Sequence, residues 1–175
     1  MRKIRTHLAT GLLALLLCSV AGLVCGQDNP ETSVNQPVSL GLLTGFLDRY
    51  GHTTREKAED EDRRLIRFTV ADRQQKETID FVILYLPKRE AIKVECPHLA
   101  DIPTPQDQRD ELVRRLMALN GVRTIGKYCF DKESVSVRYF YYRSVAGGLC
   151  YADFSKTLNM IEYMVFNDLK TVRGE

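Results

Sequence analysis

The sequence predicts an α+β domain with an antiparallel sheet, and three observations carry that prediction. Strand-like alternation of apolar and polar residues comes in two clusters, three runs between residues 66 and 96 and two between 125 and 142. Helical periodicity appears in three places, at 37–51, 105–121 and 149–170. No helix separates the strands one by one, as a βαβ unit would require. The predicted order is α-β-β-β-α-β-β-α, an antiparallel sheet with helices packed on it.

The chain has 175 residues, but the first 26 read as a leader. Arg2, Lys3 and Arg5 give a basic start, Leu8 to Val24 are almost wholly apolar or small, and Val24-Cys25-Gly26 precedes the polar Gln27-Asp28-Asn29-Pro30-Glu31. That order describes a secretory signal cut after Gly26. An uncleaved anchor and a lipid on Cys25 are the alternatives. The lipobox positions before Cys25 hold Val24 and Gly22 rather than a small residue and Leu. Removing the leader's three basic residues from 25 leaves 22 against 23 acidic, a net charge of −1. A near-neutral chain has no bulk field to gather nucleic acid or anionic lipid. With 44% apolar and 27% charged residues it should fold, and no later segment is apolar for long enough to span a bilayer.

Residues 27–36 read as a polar arm and 37–172 as one domain. The first helix takes Asn35 as cap and Pro37 in its first turn. Val38, Leu42, Phe46 and Tyr50 form its apolar stripe, with Leu43 and Leu47 beside them, and Gly51 stops it. Gly41 and Gly45 suggest close packing onto the sheet. The charged run 52–63 reads as a solvated loop or the exposed start of a strand. Ile66, Phe68 and Val70 define the first strand, with a turn at Asp72-Arg73-Gln74-Gln75 after it. The second, 77–86, is apolar on both faces at one end, and the third, 90–96, carries Ile92 and Val94. Pro97–Pro105 breaks the sheet pattern. Thr104 and Pro105 then open a helix with Leu112, Leu116 and Leu119 on its stripe and Val113 and Met117 beside them, and Asn120-Gly121 ends it. Tyr128 and Phe130 mark the fourth strand. Val135, Val137, Tyr139 and Tyr141 alternate in the fifth, where Phe140 breaks the pattern. After Gly147-Gly148 the last helix sets Phe154, Leu158, Ile161, Val165 and Leu169 on one side, with Met160, Tyr163 and Met164 widening the stripe.

Catalytic signals are sparse. The mature chain holds only His52 and His98, and no CxxC, HxxH or HExxH spacing occurs. Cys96-Pro97-His98 offers two metal-ligating types without a second pair, and the run Glu59–Asp62 lacks the spacing of a calcium loop. Gly147-Gly148 is neither a P-loop nor a dinucleotide fingerprint. Tyr139-Phe140-Tyr141-Tyr142 is expected to pack in the core rather than stack bases. Cys150 stands where the last helix begins, a place where a thiol can become a nucleophile, with His52 or His98 as its base. Packing as a small hydrophobe is the competing role. The odd number of mature cysteines, Cys96, Cys129 and Cys150, leaves at least one outside any intramolecular disulfide. Strand parity buries Cys96 with Ile92 and Val94 and leaves Cys129 more exposed, as a candidate for an interchain bond.

Residues 112–169 resemble the YbjN family, which is grouped under bacterial sensory transduction regulation and is similar in fold to the type III secretion chaperones. The likeness rests on Gly126-Lys127-Tyr128, Asp131, Val135 to Tyr139, Gly147-Gly148 and the late acidic Asp168. It implies an α-β3-α-β2-α fold and a regulatory or binding role, and it offers no agreed catalytic residues to carry over. The leader sets this chain apart from the cytoplasmic members. The expectation is therefore an exported, non-enzymatic module, with no catalytic, cofactor-binding or metal site. It would bind a protein partner or a second copy of itself, and no nucleic acid. A small thiol-dependent enzyme centred on Cys150 is the alternative.

Overall fold

The computed structural model describes residues 33–60, 62–72 and 76–175. The leader, Cys18, Cys25, most of the arm, and Glu61 and Arg73-Gln74-Gln75 lie outside the described residues. The first helix, α1, runs Leu40–Tyr50 and starts later than expected. Ser39, not Asn35, is its cap, with Oγ accepting the Leu42 N–H at 3.1 Å. The cause lies upstream. Gln36 is held extended by paired hydrogen bonds to Leu149, and the Pro37 ring also disfavours helical backbone at the residue before it. Gly51 stops the helix in the left-handed conformation, as expected (φ 101°). Gly41 and Gly45 face solvent and allow no close approach to the sheet.

The charged run forms an additional strand, β1 (Thr54–Glu59), paired antiparallel with β2 (Arg64–Ala71). Its charges suit a sheet edge, where they discourage further pairing. Glu56 lies opposite Arg67 and accepts from its Nε at 3.1 Å. β2, β3 (Thr78–Leu86) and β4 (Ala91–Asp101) form the expected meander. β4 continues through Pro97. An irregularity between Cys96 and Ala100 absorbs the residue that cannot donate, and the Pro97 carbonyl accepts from Ser136 Oγ.

The helix α2 (Gln106–Val122) begins after Pro105 without a side-chain cap from Thr104. Leu112 and Leu116 are buried, whereas Met117 is exposed. β5 (Lys127–Asp131) and β6 (Ser136–Ser144) form the second hairpin. β6 joins β4, giving the six-stranded antiparallel order β1-β2-β3-β4-β6-β5. Val135 does not join the buried alternation. It sits in the hairpin turn with φ 50° and is 57% exposed.

The last helix, α3 (Tyr151–Arg173), crosses the sheet. Phe154, Leu158, Ile161, Val165 and Leu169 are buried as their spacing requires, and Met164 and Val172 join them. Met160 and Tyr163 face solvent instead. The core lies between the helices and the Ile66, Phe68, Phe81, Ile83, Val94, Cys96 and Tyr139 face of the sheet. The opposite face carries Lys93, Glu95, Cys129, Arg138, Phe140 and Tyr142.

Candidate functional site

Among the clusters of polar side chains that meet α3, one lies near its middle and one near its C-terminal end. The C-terminal cluster contains Tyr128 and Asp168, two of the residues that carried the family resemblance. Gly126 has φ +62°, and a Cβ there would lie 1.9 Å from the Tyr139 hydroxyl. This glycine is therefore required both by backbone and by the ring packed on it. Lys127 Nζ caps the end of α2, donating to the carbonyls of Asn120 (2.7 Å) and Arg123 (3.1 Å). Tyr128 Oη donates to the buried Asp168 at 2.8 Å, and Arg123 clamps the same carboxylate through Nε (2.9 Å) and Nη2. Burial first, then the Asp168 hydrogen bond and charge, pushes the Tyr128 phenol well above its ordinary value. Asp131 accepts from Glu133 N–H and Ser134 Oγ and shapes the hairpin turn, contacts that hold its carboxyl below its ordinary value. Gly148 has φ +81°, and a Cβ would meet the Gln36 carbonyl at 2.7 Å. Lys127, Tyr128 and Asp168 thus join α2, β5 and α3, whereas Gly148 packs against the segment before α1 at Gln36.

The middle cluster was not visible in the sequence. His52, just after α1, places Nε2 2.7 Å from Glu162 Oε1, and Tyr50 Oη donates to Glu162 Oε2 at 3.4 Å. Phe68 and Tyr50 flank the imidazole, with ring centroids 5.2 and 5.0 Å away. Burial, reinforced by the Glu162 charge and hydrogen bond, pushes the Tyr50 phenol up to about 12. Glu162 falls outside the apolar stripe Phe154, Leu158, Ile161 and Val165, and nothing local announces partners more than a hundred residues away. Glu162 also lines a groove of about 580 Å³ between α3 and the β2–β3 hairpin, together with Val70, Lys76, Tyr163, Phe166 and Lys170. That volume lies in the range of ligand-binding clefts, and the lining mixes aromatic, aliphatic and polar groups.

The proposed thiol centre is not assembled. Cys150 stands at the α3 N-cap and is buried. Twelve residues of helix, about 18 Å at 1.5 Å per residue, separate it from Glu162, to which His52 is bonded. His98 lies beside Leu99, whose carbonyl accepts from Arg173 at the far end of α3. Neither imidazole reaches Cys150. Cys96 is buried in the core while His98 is exposed and paired with Asp101 at 3.4 Å, so these two do not converge on a metal. Asp60 caps its own turn, accepting from Asp62 N–H, Arg63 N–H and Arg63 Nε. The aromatic row divides. Tyr139 is buried and Tyr141 half-buried against the core, whereas Phe140 and Tyr142 face the helix-free side near Lys93. Cys96, Cys129 and Cys150 are all free thiols, Cys129 being the half-exposed one.

The architecture defined by these elements is a YbjN-like α+β fold: three helices on one face of a six-stranded antiparallel sheet. The chain is similar to the solved structure of YbjN from E. coli, a proposed transcription regulator, with a TM-score of 0.58 at 15% identity. The match covers 79% of this chain and 92% of that one. At that identity the likeness defines the fold. No family model matches the sequence, and no curated protein matches it.

Proposed function

We propose that this protein is an exported, non-enzymatic module that acts by binding another protein, and that the groove beside α3 is its contact surface. The observation that carries the reading is the groove itself. It is open, it is bordered by the 66%-exposed Tyr163 and by Phe166, and the His52–Glu162 contact fixes one wall. Exposed aromatic side chains on a rigid element are what binding surfaces use. The shared fold with a protein described as a transcription regulator supports a regulatory setting. The near-neutral charge of the mature chain favours protein contact over direct contact with DNA. Export rests on the order of residues 1–26.

Crosslinking pull-down from the native envelope fraction tests the binding reading when wild type is compared with Tyr163→Ala. A partner recovered by wild type and lost in the variant supports it. Recovery unchanged by Tyr163→Ala moves the contact elsewhere. N-terminal sequencing of the native protein tests export, with Gln27 expected as the first residue; a retained Met1 or a lipid on Cys25 contradicts it.

A further inference from the structure

The polar groups of the groove beside α3 are unevenly satisfied. Among the described residues that line it, the three carboxylates are already engaged. Glu162 takes His52 and Tyr50. Glu77 accepts from Arg173 Nη1 at 3.1 Å. Asp72 Oδ1 accepts the N–H groups of Lys76 at 2.7 Å and of Glu77 at 3.4 Å, and Asp72 forms no ion pair with either lysine of the groove. Those two lysines stand on opposite walls, Lys76 on the β2–β3 hairpin and Lys170 on α3. Neither ammonium group has a partner among the described residues, and the side-chain amides of Asn159 and Asn167 on α3 have none either. The unanswered groups are mainly donors, so an occupant has to bring acceptors.

Asn120 shows, within this chain, what an amide on a helix does to an extended segment. Its Oδ1 accepts the Tyr128 N–H and its Nδ2 donates to the Tyr128 carbonyl, both at 2.8 Å. Asn159 and Asn167 are two such amides on one wall. Their separation along α3 is about 12 Å, at 1.5 Å of rise per residue. In an extended chain, residues four apart turn the same peptide edge outward at a spacing of about 13 Å. The two amides therefore match peptide groups four residues apart on one extended segment, and the exposed Tyr163 lies between them.

We propose that the groove takes an extended, acidic segment of the partner protein. Asn159 and Asn167 hold its peptide groups, Lys76 and Lys170 pair with its carboxylates, and an apolar side chain packs against Tyr163 and Phe166. This rests on the groove being the contact surface, and it adds the chemistry of what is bound. The charge argument follows from the two walls. An acidic segment lying between Lys76 and Lys170 answers both ammonium groups at once, whereas a basic segment leaves both unanswered and adds repulsion.

The test selects binders from a random-peptide display library on the purified protein. Synthetic copies of the selected peptides are then titrated, by fluorescence anisotropy, against wild type and variants. Wild type should select peptides rich in Asp and Glu around an aromatic or aliphatic residue, and their binding should weaken as salt is raised. Lys76→Ala/Lys170→Ala should bind them roughly tenfold more weakly, as the loss of two partly exposed charge pairs implies. Asn159→Ala/Asn167→Ala should weaken them to a similar extent. Lys76→Glu/Lys170→Glu should reverse the preference and select peptides rich in Lys and Arg. All four side chains are exposed, so these variants should keep the fold. Selected peptides that need Tyr163 but are neutral or basic overturn the acidic class and leave the groove as a contact surface. So do acidic peptides that bind the lysine double variant as tightly as wild type. Acidic peptides indifferent to Asn159→Ala/Asn167→Ala overturn the extended placement. If no selected peptide loses affinity in Tyr163→Ala, the contact surface itself is lost. A dimer of the purified protein that Tyr163→Ala dissolves gives the groove to a second copy and overturns the proposal as well.

Discussion

Asp168 and Glu162 lie less than two turns apart on α3, and their surroundings give them different work. The Asp168 side chain is 4% exposed and shared by a guanidinium and a phenol, all within the C-terminal joint. The Glu162 side chain is 14% exposed, meets an imidazole and a phenol from the opposite end of the chain, and borders the groove. The difference shows how one amphipathic helix serves two purposes. A carboxylate at its buried margin locks elements together, whereas one at its half-exposed margin can shape a surface.

Removing the locked carboxylate should have the largest effect. Asp168→Ala leaves Arg123 and the buried Tyr128 hydroxyl without their partner, at a cost of about 3 kcal/mol, the lower end for a broken buried pair because Arg123 is partly exposed. Denaturant unfolding measures it; a loss below about 1 kcal/mol would place the joint among ordinary surface contacts. Ile161→Ala, fully buried and one residue before Glu162, should cost about 3 kcal/mol as a core truncation.

Glu162→Ala should cost about 1–2 kcal/mol, since it removes a hydrogen bond to a charged group that is still partly hydrated. Spacing alone would class it as an exposed site with an effect of roughly 0.5 kcal/mol or less, so the same unfolding measurement separates the two views. A pH series sharpens the comparison. The folded protein holds the Tyr50 proton more tightly than an unfolded chain, in which a tyrosine titrates at its ordinary value of 10.0. The associated stability is therefore fully present below pH 10 and is lost as pH rises through about 12. Glu162→Gln should move the Tyr50 titration, followed by tyrosinate absorbance, to lower pH and leave that of Tyr128 where it is. Movement of Tyr128 would mean that the two clusters are coupled.

The smallest effect concerns access alone. A thiol reagent should modify Cys129 well before Cys96 and Cys150, which are both buried. Burial also pushes the Cys96 thiol well above its ordinary value and slows it further. Faster labelling of Cys150 would revive a reactive thiol at the α3 N-terminus.

Much of the fold was legible in the chain because it is written locally. The stripe Phe154, Leu158, Ile161 and Val165, the alternation of Ile79, Phe81 and Ile83, and Gly51 as a helix stop each depend on neighbours within a few residues. The sequence by itself therefore determined the α+β class, the two strand clusters, the three helices and the burial of Cys96. Where it misled, a distant contact overrode a local preference. Gln36 pairs with Leu149 and delays α1, Arg67 draws the charged run into β1, and the hairpin turn takes Val135 out to solvent. The tertiary structure alone decided the site. His52 and Glu162 meet across 110 residues, Arg123 and Asp168 across 45, and Asn120 finds the peptide groups of Tyr128 on a strand edge. Hydrophobic burial follows the period of its own element, whereas a polar contact between elements requires both to be docked first, and no spacing along the chain records that docking.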